Sequence, residues 1–129
     1  DDPVEIVFFG DHQPSLSSSF YPHLNGKGLS GLTLDELENL YTIPFFIWTN
    51  YETQSEEVKI SSINYLSTLA LERAGIALPA YNQFLSDMME VIPAVNSRGY
   101  YSHSAGRFKH IEEADGEEAE WLKKETTVE

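Results

Sequence analysis

Cysteine is absent from the 129 residues of this chain. Its absence excludes disulfide bridges, thiolate metal ligands and cysteine nucleophiles, and it leaves the redox compartment undetermined. A metal bound by this chain would therefore be held by histidine nitrogens and by oxygen ligands. Long apolar runs are absent too: no segment reaches the length that spans a bilayer. We expect no signal peptide within these residues, which says little about a parent protein.

Positive charge is scarce. Eight Lys and Arg residues stand against 21 Asp and Glu residues, which gives a formal net charge of -13. This balance argues against a nucleic-acid partner and against simple adsorption to an anionic membrane, because both need a cationic face. Much of the acidity lies in the final segment, "HIEEADGEEAEWLKKETTVE", which is typical of either a solvated helix or a frayed tail.

The residues that are present are typical of a folded domain. Hydrophobic residues make up 41% of the chain and aromatic residues 12%, which is enough apolar material for a core. The length suits one domain or a piece of a larger one. The sequence begins with "DDP", without a methionine, and leads almost at once into an apolar strand, so we expect an excised domain fragment.

Two apolar runs predict strands. The first, "VEIVFF" at 4–9, is almost continuously apolar, which is typical of a strand covered on both faces within a parallel sheet. The second is "IPFFIWTN" at 43–50, and "AVNSRGYYS" further on predicts a short strand or an extended edge. Between the first two runs, residues 13–32 predict a long loop rich in serine, glycine and proline.

Three helices are predicted from the signals at their ends. "TLDE" predicts a capping box in which Thr33 and Glu36 exchange hydrogen bonds, followed by a brief helix over 34–41. A second helix is predicted to follow a cap at Ser61 or Ser62 and to run to about Ala74. A third is predicted to have Pro79 in its first turn and to stop at Pro93, and both have apolar residues at helical spacing. Strands that alternate with helices predict an α/β fold with a few strands packed against helices.

The glycines of "GKGLSG" have the spacing of a dinucleotide-binding fingerprint at Gly26, Gly28 and Gly31. That fingerprint needs its first glycine to end a strand directly, so that a pyrophosphate meets a helix N-terminus. Here "SSSFYPHLN" comes first, and it does not predict a strand. The glycines are better interpreted as a source of backbone freedom in a mobile loop.

The strongest local candidate for a site is Asp11 with His12. Both follow Gly10 at the end of the first predicted strand, and ligands bind at the carboxyl ends of strands in parallel α/β sheets. A carboxylate beside a neutral imidazole suits zinc or manganese. Alternatively, Asp11 caps the loop backbone and His12 bonds a neighbouring carbonyl. From these residues alone both interpretations stay open.

Other polar candidates are weaker. The remaining histidines have no evident partners, the loop serines lack a nucleophile-elbow sequence, and the paired tyrosines are typical of a core edge. These residues are His23, His103 and His110; Ser15, Ser17, Ser18 and Ser19; and Tyr100 and Tyr101.

The segment "VEIVFFGDHQPSL" resembles the metal-binding segment of the alkaline phosphatase/sulfatase superfamily, and in particular its lipoteichoic acid synthase-like branch, the phosphoglycerol transferases. That branch also has a strand ending in Gly-Asp-His, then a strand similar to "YTIPFFIWTN" and a helix similar to "ISSINYLSTLALERAGIALP". "YNQFLSDMMEVIPAVNSRGYYS" is similar to its downstream part. The resemblance covers most of 3–102 and implies that 1–102 is the C-terminal part of a sulfatase-like catalytic domain, an α/β sandwich. The segment 103–129 lies outside the resemblance, and its composition predicts an acidic segment, helix or disordered tail.

The resemblance implies that Asp11 and His12 are ligands of a catalytic divalent cation, Mn²⁺ or Zn²⁺. In the family this cation activates a threonine, which forms a covalent glycerophosphoryl intermediate from a lipid-linked phosphoglycerol. The threonine and an acidic ligand lie far upstream of Gly-Asp-His in the family, and nothing in this chain matches them. Two protein ligands make a poor site. We therefore expect a fragment that contributes part of a metal site, is inactive alone and does not necessarily retain metal.

The resemblance also implies a location at the extracellular face of the bacterial cell membrane, in a membrane-anchored parent protein. The substrate stays open between phosphoglycerol, phosphoethanolamine and sulfate esters, and phosphoglycerol transfer is preferred. A strand such as "VEIVFF" without sheet neighbours exposes apolar surface and edges, which predicts self-association or an assembly with another chain. The alternative function is a non-catalytic binding module whose flexible loop and acidic segment serve a partner.

Overall fold

The computed structural model describes residues 1–128. The chain divides into two compact units. The larger unit comprises Asp1–Glu5 and Thr49–Glu129, and the smaller unit comprises Ile6–Trp48. No helix within residues 1–128 is both long enough and apolar enough to cross a membrane.

The smaller unit is built on a two-stranded sheet. Its strands and helices are β1 (Glu5–Phe9), α1 (Tyr21–Asn25), α2 (Leu34–Asn39) and β2 (Phe45–Thr49), of which only the terminal residues Glu5 and Thr49 are assigned to the larger unit. The amide of Gly10 donates to the carbonyl of Pro44 and that of Asn50 to Val4, both at 3.1 Å. The end of each strand is thus tied to the beginning of the other, so β1 and β2 run antiparallel.

The antiparallel pairing corrects the expectation of a parallel sheet for this pair of strands. Continuous apolar runs suggested strands buried on both faces, as parallel strands are. The structure instead exposes alternate side chains along β2 and along most of β1, where Phe9 is exposed as well as Phe8. The direction of a strand is set by its partner and not by its own residues, so the apolar pattern alone could not decide it.

The region 13–32 is also more ordered than the predicted loop, since it contains α1 and a 3-10 turn at Leu29–Gly31. Pro22 lies in the first turn of α1, where its fixed φ favours a helix and no amide is needed. Gly26 ends the helix in a left-handed conformation with a φ of 76°, and its amide donates to the carbonyl of Pro22 at 2.8 Å.

The capping box of α2 is confirmed. The amide of Glu36 donates to Oγ1 of Thr33 at 3.3 Å, and the amide of Thr33 donates to Oε2 of Glu36 at 2.9 Å. Two donors at the helix N-terminus are therefore satisfied within four residues of sequence. The same carboxylate accepts from Nζ of Lys27 at 2.8 Å, which lowers the pKa of Glu36.

The larger unit combines helices with a three-stranded sheet. Its strands and helices are α3 (Leu66–Arg73), α4 (Ala80–Val91), β3 (Ala94–Val95), β4 (Gly99–Ser102), β5 (Arg107–His110) and α5 (Gly116–Val128). The strand order is β3-β4-β5 and both pairings are antiparallel. The helices predicted near 62–74 and 80–92 are thus confirmed, and the unpredicted strand β5 continues the chain from β4.

The hydrophobic core of the larger unit lies between the helices and the sheet. It consists of Tyr65, Leu85, Met88, Ile92, Tyr100 and Leu122. Leu85, Met88 and Ile92 recur at helical spacing, so α4 presents one buried stripe. The buried hydroxyl of Tyr65 donates to the carbonyl of Ile92 at 2.6 Å, and burial raises the pKa of this phenol. The hydrogen bond satisfies a polar group that the core would otherwise leave without a partner.

The smaller unit has no comparable core. Among its described residues only Glu38 is buried, with 5% of its surface exposed. Its aliphatic and aromatic side chains are all half-buried or exposed. A two-stranded sheet is marginally stable in water unless something covers one of its faces. The apolar surface of this unit is therefore a feature that its own fold does not explain.

Truncation of Leu85 tests where the stabilising core lies. Leu85 is 1% exposed, so Leu85→Ala removes buried methyl groups and is expected to lower the free energy of unfolding by about 2–5 kcal/mol. Leu24 lies in α1 and is 59% exposed, so Leu24→Ala is expected to change the free energy of unfolding by no more than about 0.5 kcal/mol. Urea unfolding followed by circular dichroism measures both. Equal losses in the two variants would contradict this assignment of the core.

Candidate functional site

The Gly-Asp-His segment follows directly on β1. Gly10 remains paired to the residue before β2 through its 3.1 Å hydrogen bond to Pro44. A Cβ at this position would lie 3.3 Å from Cβ of Ile43, which is tighter than an ordinary van der Waals contact. Glycine therefore lets the two backbones approach closely, and the chain leaves the sheet at Asp11.

Hydrogen bonds to neighbouring backbone groups hold the side chains of Asp11 and His12. Oδ1 of Asp11 accepts a hydrogen bond from the backbone amide of His12 at 2.8 Å. Nδ1 of His12 donates to the carbonyl of Gln13 at 2.9 Å, since a carbonyl oxygen can only accept. Both side chains are largely exposed, at 83% for Asp11 and 76% for His12. The side chain of Gln13 anchors the turn by donating to the carbonyl of Thr42 at 2.6 Å.

These bonds leave one oxygen and one nitrogen facing each other, since Oδ2 of Asp11 lies 3.4 Å from Nε2 of His12. In the neutral ring the proton sits on Nδ1, so Nε2 carries a free lone pair. Two ligand atoms bound to one cation at about 2.1 Å with a near-tetrahedral angle lie about 3.4 Å apart. The backbone contact of Nδ1 also matches the way metal-binding histidines are usually oriented.

The two interpretations left open by the sequence are therefore compatible. The loop-capping contacts use Oδ1 of Asp11 and Nδ1 of His12, and the cation-binding atoms would be Oδ2 and Nε2. What the turn lacks is a third ligand. Within residues 1–128, no three His, Asp or Glu side chains come together as a group that could hold a metal ion. The pair fits two positions of a coordination shell and leaves the others unfilled.

Comparison with known proteins does not identify a family for this chain. No family model, no curated protein and no solved structure matches it. The resemblance to phosphoglycerol transferases therefore stays a prediction. The candidate role of the Gly-Asp-His turn therefore depends on its geometry and on the residues around it.

The glycines at 26, 28 and 31 form a turn rather than a phosphate cradle. Oδ1 of Asn25 accepts from the amides of Lys27 and Gly28, each at 2.9 Å, and so occupies the donors that a phosphate would need. The segment follows α1 and not a strand, as expected from the residues before it. Both Gly26 and Gly28 have a positive φ, which explains why glycine occurs there.

The weaker candidates do not join the turn into a metal site. His23 lies at the end of α1, and the serine cluster is represented by a hydrogen bond of 2.9 Å between Ser17 and Ser19. The amide of His110 donates to Glu113 at 2.7 Å just before α5. Tyr101 packs edge-on against Phe108 across β4 and β5, with ring centroids 5.2 Å apart, as expected of a core edge.

Sequence reasoning missed a buried polar cluster centred on Glu118 of α5. Its carboxylate accepts from Nζ of Lys109 at 2.8 Å, from the hydroxyl of Tyr100 at 2.6 Å, and from the hydroxyl of Ser102. The side chains of Glu118 and Lys109 are only 9% and 13% exposed. The sequence gives only one weak signal for this cluster, since alternation along "GYYS" places Tyr100 and Ser102 on the same face of a strand. Nothing in the sequence distinguishes Glu118 from the other acidic residues around it.

The protonation state of this cluster follows from its contacts. Burial by itself raises the pKa of Glu118, but the hydrogen bonds from Lys109, Ser102 and Tyr100 outweigh it and bring the pKa to about 2. The same carboxylate raises the pKa of Lys109, and burial raises the pKa of Tyr100. At neutral pH the cluster is therefore a fixed ion pair with two hydroxyl donors, which is a structural arrangement and not a source of protons.

A cavity of about 440 Å³ opens beside this cluster. Its charged lining comprises four carboxylates, those of Glu90, Asp115, Glu117 and Glu118, and the single ammonium of Lys109, which is already bonded to Glu118. An anionic phosphorylated substrate would be repelled by this excess of negative charge. The cavity is thus a poor place for phosphoryl chemistry, and the Gly-Asp-His turn stays the better candidate.

The low pKa of Glu118 predicts a pH-dependent contribution to stability. The contribution is fully present above the unfolded pKa of about 4.5 and is lost as the pH falls towards about 2. Glu118→Gln is expected to lower the free energy of unfolding by about 3 kcal/mol near neutral pH. This loss relative to the unchanged protein is expected to shrink as the pH falls from about 4.5 to about 2. Urea unfolding at several pH values measures it, with the exposed Glu117→Gln as control. If the unchanged protein and Glu118→Gln differ in free energy of unfolding by the same amount at every pH, Glu118 is not stabilised as an ion pair.

Proposed function

We propose that this chain is part of the catalytic domain of a metal-dependent phosphoglycerol transferase or sulfatase-like hydrolase, to which it contributes two metal ligands. The observation that carries this proposal is the 3.4 Å separation of Oδ2 of Asp11 and Nε2 of His12 at the end of a strand. Support also comes from the resemblance of "VEIVFFGDHQPSL" to the segment that performs this role in the lipoteichoic acid synthase-like branch.

Each residue of the turn has a distinct part in such a site. Asp11 supplies a negative charge and one oxygen, and His12 supplies a neutral nitrogen whose ring is oriented by the carbonyl of Gln13. Gly10 brings this turn close to the start of β2, and the side chain of Gln13 ties it to Thr42. A bound Mn²⁺ or Zn²⁺ would supply Lewis-acid stabilisation of charge on a transferring phosphoryl group.

Such an enzyme needs more than the described residues provide. A catalytic zinc generally has three protein ligands, and the turn offers two. Within residues 1–128, the hydroxyls of the nearby threonines have other partners: Thr33 caps α2, the hydroxyl of Thr42 donates to the carbonyl of Glu38, and the hydroxyl of Thr49 donates to the carbonyl of Tyr51. The remaining ligand and the nucleophilic threonine are therefore proposed to lie in polypeptide other than the residues described, and this chain alone is proposed to be inactive.

The proposal extends to architecture, substrate and location. The mixed helices and strands would be the C-terminal part of a sulfatase-like sandwich, within a membrane-anchored protein that acts at the extracellular face of the bacterial membrane. Lipid-linked phosphoglycerol is the proposed substrate, because "NYL" and "PAVN" resemble that branch. Phosphoethanolamine and sulfate esters are the alternatives.

A second candidate function is a binding module without chemistry of its own. The observation in its favour is the exposed apolar surface of the smaller unit, where Phe8, Phe46 and Trp48 are each about half exposed, at 57%, 54% and 49%. Exposed apolar patches commonly mark interaction surfaces. This candidate gives Asp11 and His12 only their loop-capping contacts.

Paramagnetic broadening by Mn²⁺ separates the two candidates in the chain itself. Substoichiometric Mn²⁺ added to the ¹⁵N-labelled protein is expected to broaden the amide resonances of Gly10, Asp11, His12 and Gln13 first, because a bound paramagnetic ion acts on its nearest nuclei. Asp11→Asn with His12→Gln is expected to abolish this local effect. The matched control is Asp35→Asn with His23→Gln, which removes the same two residue types elsewhere in the smaller unit.

The outcome is decided by where the broadening lies. Loss of the local effect in the Asp11 and His12 variant, with the control unchanged, supports the metal role. Broadening spread over the acidic residues 112–120, with none centred on the turn, would overturn it. A turn signal that persists without Asp11 and His12 would overturn it as well.

A further inference from the structure

The smaller unit carries its largest apolar residues on the outside. Ile6, Phe8, Phe46 and Trp48 are 49%, 57%, 54% and 49% exposed, although each lies within a strand of the sheet. No aliphatic or aromatic residue of this unit is buried among the residues that the structure describes. Two strands with an uncovered apolar face do not make an independently stable sheet. Something that packs on this face would supply the missing burial.

These four side chains share one face of the sheet. The hydrogen bonds that tie Gly10 to Pro44 and Asn50 to Val4 set the pairing, and it places Ile6 opposite Trp48 and Phe8 opposite Phe46. The rings of Phe8 and Phe46 are stacked, with centroids 5.1 Å apart and planes 15° apart. We call Ile6, Phe8, Phe46 and Trp48 the aromatic face.

The aromatic face contains no charged residue, whereas the whole chain has a net charge of -13. Two copies of so acidic a chain repel each other wherever their carboxylates approach. An uncharged apolar stripe is the kind of surface through which two copies can meet without pairing like charges. It is also self-complementary, as an isologous contact requires, because large flat rings can pack on the same rings of a second copy.

The area of the aromatic face is of the size that a weak dimer uses. Large apolar side chains of about 150–250 Å² each, half exposed, present about 400 Å² in total. Two such faces packed together bury about 800 Å² of side chain, and the polar rim of the contact adds to this. The side-chain area of about 800 Å² lies below about 1,200 Å², where specific, stable interfaces begin, and it is in the range of weak, transient complexes.

We propose that the aromatic face is a homodimer interface, in which the sheet of one copy packs face to face on the sheet of a second. The closure of two sheets into a sandwich gives each smaller unit the buried apolar layer that it lacks by itself. Because the two copies repel electrostatically, added salt strengthens the dimer by screening that repulsion.

Sedimentation velocity and light scattering on the full chain test this proposal. The dissociation constant of the dimer is expected to lie between about 1 μM and 1 mM. It is expected to be at least tenfold lower in high salt than in low salt. Phe8→Ser and Phe46→Ser are each expected to weaken dimerisation at least tenfold, because truncation of a central aromatic residue removes much of the binding energy of an interface.

Two matched controls show that the effect belongs to this face. Leu24→Ser changes an equally exposed residue of the smaller unit, at 59%, and Ile76→Ser changes one of the larger unit, at 56%. Both are expected to dimerise like the unchanged chain. Amide spectra of α4 and α5 confirm that each variant keeps its larger unit folded.

Every outcome bears on the proposal. A monomer at all concentrations overturns it and leaves the face to a different polypeptide. A dimer that Phe8→Ser and Phe46→Ser do not weaken, or one that dissociates as salt rises, overturns it too. The result is independent of the metal experiment, since neither Asp11 nor His12 belongs to the aromatic face and none of these variants alters the Gly-Asp-His turn.

Discussion

The larger unit depends on one buried carboxylate. Glu118 of α5 accepts hydrogen bonds from Tyr100 and Ser102 of β4 and from Lys109 of β5, so a single side chain joins the helix to two strands. A buried charge is costly unless it is paired and fully bonded, and here the ammonium and two hydroxyls meet it together. The cluster thus ties the helix to the sheet through the core residue Tyr100 and its neighbours.

The candidate metal site lies in the unit that has no such constraint. The Gly-Asp-His turn is carried by a two-stranded sheet whose large apolar side chains face outward, and its order comes from the approach of Gly10 to Ile43 and from the hydrogen bond between Gln13 and Thr42. The oxygen and the nitrogen proposed as ligands therefore belong to a scaffold that is incomplete by itself. The exposed apolar face and the proposed metal site have this in common, since each would need groups beyond one copy of the described residues.

Sequence reasoning succeeded where the deciding contacts are local. The capping box of Thr33 and Glu36 spans three residues, and the stripe of Leu85, Met88 and Ile92 follows from helical geometry alone. It went wrong for the direction of β1 and β2, because that depends on which distant segment pairs with which. It missed β5, whose residues "RFKH" include only one apolar side chain and become a strand by pairing with β4. The sequence shows that Asp11 and His12 are adjacent. It does not show which of their oxygen and nitrogen atoms bond the backbone and which remain for a ligand.

The sequence by itself therefore determined the approximate positions of β1, α2, β2, α3 and α4, the capping box of α2, and the presence of a carboxylate and an imidazole at the end of β1, because each is set by residues within a few positions of one another. Only the tertiary structure decided that the strands are antiparallel, that Glu118 is buried with Lys109, and that Oδ2 of Asp11 faces Nε2 of His12 at 3.4 Å. Those features depend on contacts between distant segments, where packing and the requirement to satisfy buried polar groups outweigh local preference.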